Sequence, residues 1–233
     1  MAPSMRPGRS ASPPPTWGCS PRPEPTAPRD ALAGMLAHDL RTPLAALSMN
    51  LDFALAELAP DAGKEVRSAL EDCRASSAHA IRMIGYMADA VLLASGRGHP
   101  TFAEVDVQWL VADAVRRAAP DAAARGVRMV WSSPPVRVRA DPELLVRAID
   151  AVLERALRHA CPGGSIDVTT REKVLVVRLR FGAGREARRE EAEAATGSLA
   201  ALFAEAALRA QGGALRVEID AEGSLLFALE LPR

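Results

Sequence analysis

Two apolar stripes at helical spacing constrain this chain more than anything else in it. Leu32, Leu36, Leu40, Leu44, Leu47, Leu51, Leu55 and Leu58 recur every three or four residues, which lines them along one side of a helix. Ala59-Pro60-Asp61-Ala62-Gly63 then breaks the pattern. A second stripe follows with Val66, Leu70, Cys73, Ser77, Ile81, Ile84, Ala88 and Val91, and ends at Gly96-Arg97-Gly98. Two long helices joined by a short turn make a helical hairpin, with Asp30 expected to cap the first. A lone hairpin leaves much of so continuous a stripe exposed. Two hairpins packed as a four-helix bundle bury it, so a homodimer is expected.

The flanks read differently. Residues 1–28 are rich in Pro, Ser, Arg and Gly, with Pro13-Pro14-Pro15 at their centre. Such a segment cannot bury enough apolar surface to offset its ordering entropy, so a disordered tail is expected, with Trp17 incidental to it. After His99 the pattern is mixed. Strands are expected over 101–106, 127–131, 136–138, 165–170, 173–181, 215–219 and 225–231. Helices are expected from Val107 to about Arg117, from Pro142 to about Ala160 behind an Asp141 cap, and over 198–210. Residues 182–196 read as a polar loop. The fold class is α+β: a hairpin over 29–98 forming a dimeric bundle, then an α/β sandwich over 99–233 with helices on one face of a sheet.

Composition removes several function classes. Acidic and basic residues balance at 29 each, so nothing in the bulk charge draws the chain to nucleic acid or anionic membranes. No apolar run approaches the ~18 residues of a membrane span, and the N-terminus lacks the apolar core of a secretory signal. Cys19, Cys73 and Cys161 are far apart and odd in number, which argues against a disulfide framework or a zinc pair. A reducing cytoplasm is expected.

The chemistry concentrates in His38-Asp39-Leu40-Arg41-Thr42-Pro43-Leu44. His38 lies two residues from both Leu36 and Leu40, so it is expected on the side of the helix away from the stripe. An imidazole facing water at neutral pH is largely unprotonated and can act as a nucleophile. Asp39 can accept a hydrogen bond from one ring nitrogen, which frees the other to attack. Pro43 offers no N–H to the Asp39 carbonyl, so a kink is expected just after the histidine. Thr42 lies one turn from His38 on the same side. Against this stands the bland reading of a solvated histidine near a chance Thr-Pro, which suits a lone histidine better than a whole heptapeptide on such a hairpin. His79, His99 and His159 lack that context and read as surface or internally satisfied residues.

This heptapeptide resembles the H-box of the sensor histidine kinases, whose common form is His-Glu/Asp-x-Arg-Thr-Pro-Leu. The resemblance implies that His38 is phosphorylated, that Asp39 helps activate it and that Thr42 positions water for dephosphorylating a response regulator. It also implies a receiver domain as partner, with Arg41, Ser48 and Met49 as candidate docking residues. Residues from about Pro100 to Arg233 resemble the ATP-binding domain of the same family in the order of their elements. There the motifs depart. The N-box position that holds Mg²⁺ through an asparagine is Arg155 in Ala151-Val152-Leu153-Glu154-Arg155-Ala156. The adenine-reading aspartate is replaced by Arg180, ahead of Gly182 and Gly184. The last glycine-rich loop survives as Gly197 in Ala195-Thr196-Gly197-Ser198-Leu199. A cation where a dication should bind repels it, and an arginine cannot accept the adenine amino hydrogen.

Three functions follow from these residues. One is a phosphorelay protein that exchanges a phosphoryl group between His38 and receiver aspartates and needs no cofactor. Another is a histidine kinase with an aberrant site for ATP and Mg²⁺. The third is a non-catalytic scaffold or inhibitor. A complete histidine kinase as a heterodimer partner, phosphorylating His38 in trans, stays open beside them.

Overall fold

The computed structural model describes residues 27–59, 63–182 and 189–232, with side chains left out at 27–36, 38 and 189. The expected tail, with Trp17 and Cys19, lies outside the described residues, as does the centre of the hairpin turn.

Helices α1 (Ala27–Glu57) and α2 (Lys64–Ala94) pack against each other as a hairpin. The first begins ahead of Asp30, so Asp30 lies inside its opening turns and is not the cap. Pro28 stands in the first turn, where a missing N–H leaves no bond unmade. The helix also runs on through Pro43 without ending there. The register is set by hydroxyls inside the hairpin. Ser77 Oγ donates to the Leu44 carbonyl at 3.2 Å and stands 2.8 Å from Ser48 Oγ. Leu44, Leu51, Leu55 and Leu58 are half-buried along this seam, whereas Leu40 and Leu47 each remain 47% exposed. One hairpin therefore covers only part of the stripe.

The rest of the chain forms β1 (Ala103–Asp106), α3 (Val107–Ala124), β2 (Arg128–Ser132), β3 (Arg137–Ala140), α4 (Pro142–His159), β4 (Ser165–Arg171), β5 (Val174–Arg180), α5 (Arg189–Thr196), α6 (Leu199–Arg209), β6 (Ala214–Ile219) and β7 (Leu225–Glu230). Five strands make one sheet in the order β2-β4-β5-β7-β6. It is antiparallel except for the parallel pair β2–β4. Strands β1 and β3 form a separate two-stranded ladder. Along β5, Leu175, Val177 and Leu179 are buried while Val174, Val176 and Arg178 alternate to the other face. The buried set meets Leu145, Ile149, Val152, Leu153 and Ala156 of α4 and Phe203, Ala204, Ala207 and Leu208 of α6 in one core.

Two expectations are corrected here. Helix α3 runs past Arg117 and through Pro120 to Ala124, because Ala122, 1% exposed, anchors its last turn in the core. The segment read as loop up to Thr196 contains α5, whose Glu190 and Glu191 complement the N-terminal dipole while Ala195 is fully buried. Residues 183–188 of that segment lie outside the described residues.

The α4 cap forms as the Asp-Pro signature implies. Asp141 Oδ1 accepts from the backbone N–H groups of Glu143 and Leu144, both at 3.0 Å. Its second oxygen accepts from Thr101 N at 2.7 Å, and its own N–H donates to Gln211 Oε1 at 2.6 Å. One carboxylate thus starts the helix and ties down the incoming segment. Replacing it, Asp141→Ala, is expected to cost about 1–2 kcal/mol, at the upper end for a lost cap, seen as a lower urea midpoint with an unchanged slope.

Candidate functional site

The register fixed by Ser48 and Ser77 sets His38 of α1 at the level of Met87 and Ala88 of α2. The α/β layer joins the hairpin at that same level. Tyr86 stacks on Phe203 of α6 with ring centroids 4.8 Å apart and planes 18° from parallel. The Arg147 guanidinium of α4 lies 4.8 Å from the Phe203 centroid and is ion-paired with Asp89 of α2. Nothing is described of the His38 side chain. Asp39, Arg41 and Thr42 are exposed on α1.

The two helices meet again further along. His79 Nδ1 lies 2.8 Å from Glu154 Oε1, and Arg82 Nε reaches Glu154 Oε2 at 3.3 Å. Arg158 Nη2 stands 2.8 Å from His79 Nε2. The same Arg158 Nη2 lies 3.1 Å from His79 Nδ1, so the ring is held between Glu154 and Arg158. His79 is therefore internally satisfied and links α2 to α4. His99 is exposed and His159 half-buried.

Between α2, α3 and α4 lies a cleft of about 1050 Å³. No local sequence pattern marks it, because its walls are drawn from separate helices. Tyr86 lines it, and burial pushes its phenol up to about 12, helped by the negative charges of Glu154 and Asp150 and opposed by Arg82 and Arg147. Burial likewise raises the Asp150 carboxyl, against the hydrogen bond and charge of Arg117.

The positions expected around a nucleotide have other duties. Arg155 turns toward α5, where Nη2 donates to the Ala194 carbonyl. Its Nε is buried with no hydrogen-bond partner among the described residues. Burial, and after it the charge of Arg158, lower its affinity for its proton. Arg180 is exposed on the sheet face away from the helices and ion-paired with Asp167 of β4. At Gly182 an added Cβ would lie 2.8 Å from the Gly163 carbonyl carbon, so this glycine serves a close approach between backbones. The Gly197 N–H bonds the Glu193 carbonyl at 3.0 Å where α5 gives way to α6. Gly184 lies outside the described residues. Of the docking candidates, Met49 is 71% exposed, Ser48 turns inward to Ser77, and the Arg41 guanidinium reaches toward Gly85 of α2.

Comparison with known proteins agrees with this geometry. Residues 29–93 match the His Kinase A (phospho-acceptor) domain. The fold resembles that of the Acinetobacter baumannii histidine kinase AdeS, at 12% identity and a TM-score of 0.56 over 84% of this chain and 97% of that one. It also resembles full-length ShkA, solved in complex with AMPPNP, at 20% identity and a TM-score of 0.62 over 87% of this chain but only 46% of that one. No curated protein matches the chain. The family match is thus confined to the hairpin, and the likeness to these histidine kinases is one of fold. No helix among the described residues is long and apolar enough to cross a membrane, and none of their His, Cys, Asp and Glu side chains cluster as a metal site.

Tyr86 is the only tyrosine in the chain, so its ionisation can be followed directly by tyrosinate absorbance. The folded protein should titrate near pH 12, against 10 for the unfolded chain. Because the folded value is the higher one, this phenol's contribution to stability is complete below pH 10 and is lost as pH rises through about 12. Phe203→Ala should move the midpoint down toward 10.

Proposed function

We propose that this protein is a phosphorelay component that takes a phosphoryl group from the aspartyl phosphate of a response-regulator receiver onto His38 and passes it to a second receiver. A ring nitrogen of His38 attacks phosphorus. The N–P bond forms as the bond to the aspartate oxygen breaks, and the carboxylate leaves. Transfer onward reverses these steps. Asp39 accepts the hydrogen bond of the other ring nitrogen, and Thr42, one turn along, positions the water that ends the signal. The acyl phosphate supplies the free energy, so no nucleotide is required.

The observation that carries this reading is the contrast between the two halves of the chain. The heptapeptide around His38 is complete within a matched phosphoacceptor domain. The residues at the nucleotide positions do not fit ATP with Mg²⁺. Arg155 puts a cation where the metal would bind and is held by the Ala194 carbonyl. Arg180 faces the far side of the sheet, bound to Asp167. Both are engaged in contacts within the α/β layer, which disfavours direct phosphorylation by ATP.

The receiver is placed on the exposed outer surface of α1 around Met49 and Phe53, which are 71% and 68% exposed. Leu40 and Leu47 are assigned to the seam with a second hairpin, from another copy of this chain or from a complete histidine kinase. The protein is assigned to the cytoplasm.

Two measurements test these assignments. Incubation with a radiolabelled phospho-receiver should label the wild type and leave His38→Ala unlabelled, while labelled ATP with Mg²⁺ should label neither. Labelling by ATP would make the protein a kinase, and labelling by neither donor would leave the scaffold reading or phosphorylation in trans. Light scattering should give about twice the 24.7 kDa chain mass, and Leu47→Glu should return it to a monomer.

A further inference from the structure

The cleft between α2, α3 and α4 holds more positive charge than its own acids neutralise. Six arginines line it against three carboxylates, Asp121, Asp150 and Glu154, and with Asp89 and Asp113 beside it one positive charge is left over. Arg117 is taken up by Asp113 and Asp150, and Arg147 by Asp89. Glu154 alone serves Arg82, Arg158 and His79. Arg41 and Arg125 have no carboxylate partner among the described residues. Arginines left without counter-charge in a concave site favour an anion from solution.

Geometry gives that anion a position. A Cβ built on Gly85 would lie 4.0 Å from an Nη2 nitrogen of Arg41 and 4.0 Å from that of Arg147. The two nitrogens are therefore no more than about 8 Å apart, and Arg147 Nη2, which already donates one hydrogen to Asp89, has a second to give. One phosphate, accepting bonds of ~2.8 Å on two of its oxygens, spans that gap. Gly85 itself is unexplained by the fold. It sits inside α2 without positive φ, and nothing within 4.0 Å would crowd a methyl group there. Glycine in a helix interior costs about 1 kcal/mol relative to alanine. Its effect here is to leave open floor beneath two guanidinium groups.

The remaining wall is apolar. Ile81, Tyr86, Ala118, Leu153 and Leu157 face the same space. Its volume, about 1050 Å³, is at the top of the range of about 300–1,000 Å³ typical of small-molecule sites.

We propose that this cleft binds a phosphorylated small molecule of nucleotide size, without metal, its phosphate bridging Arg41 and Arg147 over Gly85 and its apolar part lying along α3 and α4. The ligand touches α1, α2 and α4 together, so it holds the α/β layer against the phosphoacceptor hairpin. The site is separate from the N-box position, because Arg155 turns away toward α5. It is also independent of phosphoryl transfer, so it is tested in His38→Ala.

Isothermal titration in EDTA and 0.15 M salt would use inorganic phosphate, pyrophosphate and ATP as probes. Pyrophosphate or ATP should bind at micromolar concentration, and tighter binding of ATP would assign the apolar wall to a base. Arg41→Ala should weaken binding at least tenfold. Gly85→Ala should weaken it while raising the melting temperature, an opposition that mere unfolding cannot produce. Arg155→Ala should leave it unchanged. Binding only at tens of millimolar, loss of binding in Arg155→Ala but not Arg41→Ala, or wild-type affinity in Gly85→Ala would each overturn the proposal.

Discussion

The contact between Tyr86 and Phe203 organises the molecule. It joins the hairpin to the α/β layer, with Met83, Ala90 and Leu93 of α2 packed on the same core. Phe203 is fully buried and Tyr86 only 5% exposed, so each ring completes the other's core, and a stacked pair adds about 0.5–1.5 kcal/mol beyond the area it buries. Once α6 is held on α2 by this stack, α4 is carried up to the same helix. The Arg147–Asp89 and Glu154–His79 contacts then follow at neighbouring levels. These pairs are half-buried and directional, and they help select the docking angle.

Helix α4 meets this arrangement with three different surfaces. Leu145, Ile149, Val152, Leu153 and Ala156 enter the core. Arg147, Asp150, Glu154 and Arg158, spaced three and four apart, line the cleft shared with the hairpin. Arg155 stands on a third side and meets α5. Such a division explains how one position can change its chemistry without loosening its neighbours. The Arg155 side chain is confined to the α5 contact, away from the core and hairpin surfaces of the helix.

Much of this was legible in the sequence, for identifiable reasons. The hairpin shows because its period is strict over two long segments. Helix α4 shows because Asp141-Pro142 sets both a cap and a first turn, and the β4–β5 and β6–β7 pairs show because turn residues separate alternating runs. The misses share a cause. Asp30 looks like a cap only if Pro28 is taken to end the preceding segment and not to begin the helix. Pro120 looks like a stop because the burial of Ala122 is a tertiary fact. Helix α5 is polar and short, and its existence depends on Ala195 reaching the core. The His79–Glu154 pair, the parallel β2–β4 ladder and the inward turn of Ser48 all depend on partners distant in sequence, which no local pattern encodes.

The phosphoacceptor and nucleotide positions differ in what else they do. At 182 a glycine is required by the approach of the Gly163 carbonyl, so packing explains it. At 180 an arginine is explained by Asp167 across the ladder. At 155 an arginine is explained by the Ala194 carbonyl. Each of these residues would be kept for the sake of the fold even if no nucleotide ever bound. Asp39, Arg41 and Thr42 are exposed on a helix that needs none of them for its core, and Pro43 costs that helix a backbone bond. Within the heptapeptide it is Leu44 that packs, on the hairpin seam where its carbonyl accepts from Ser77. Exposed polar side chains gathered on one turn and a half of helix are what the proposed phosphoryl transfer would use.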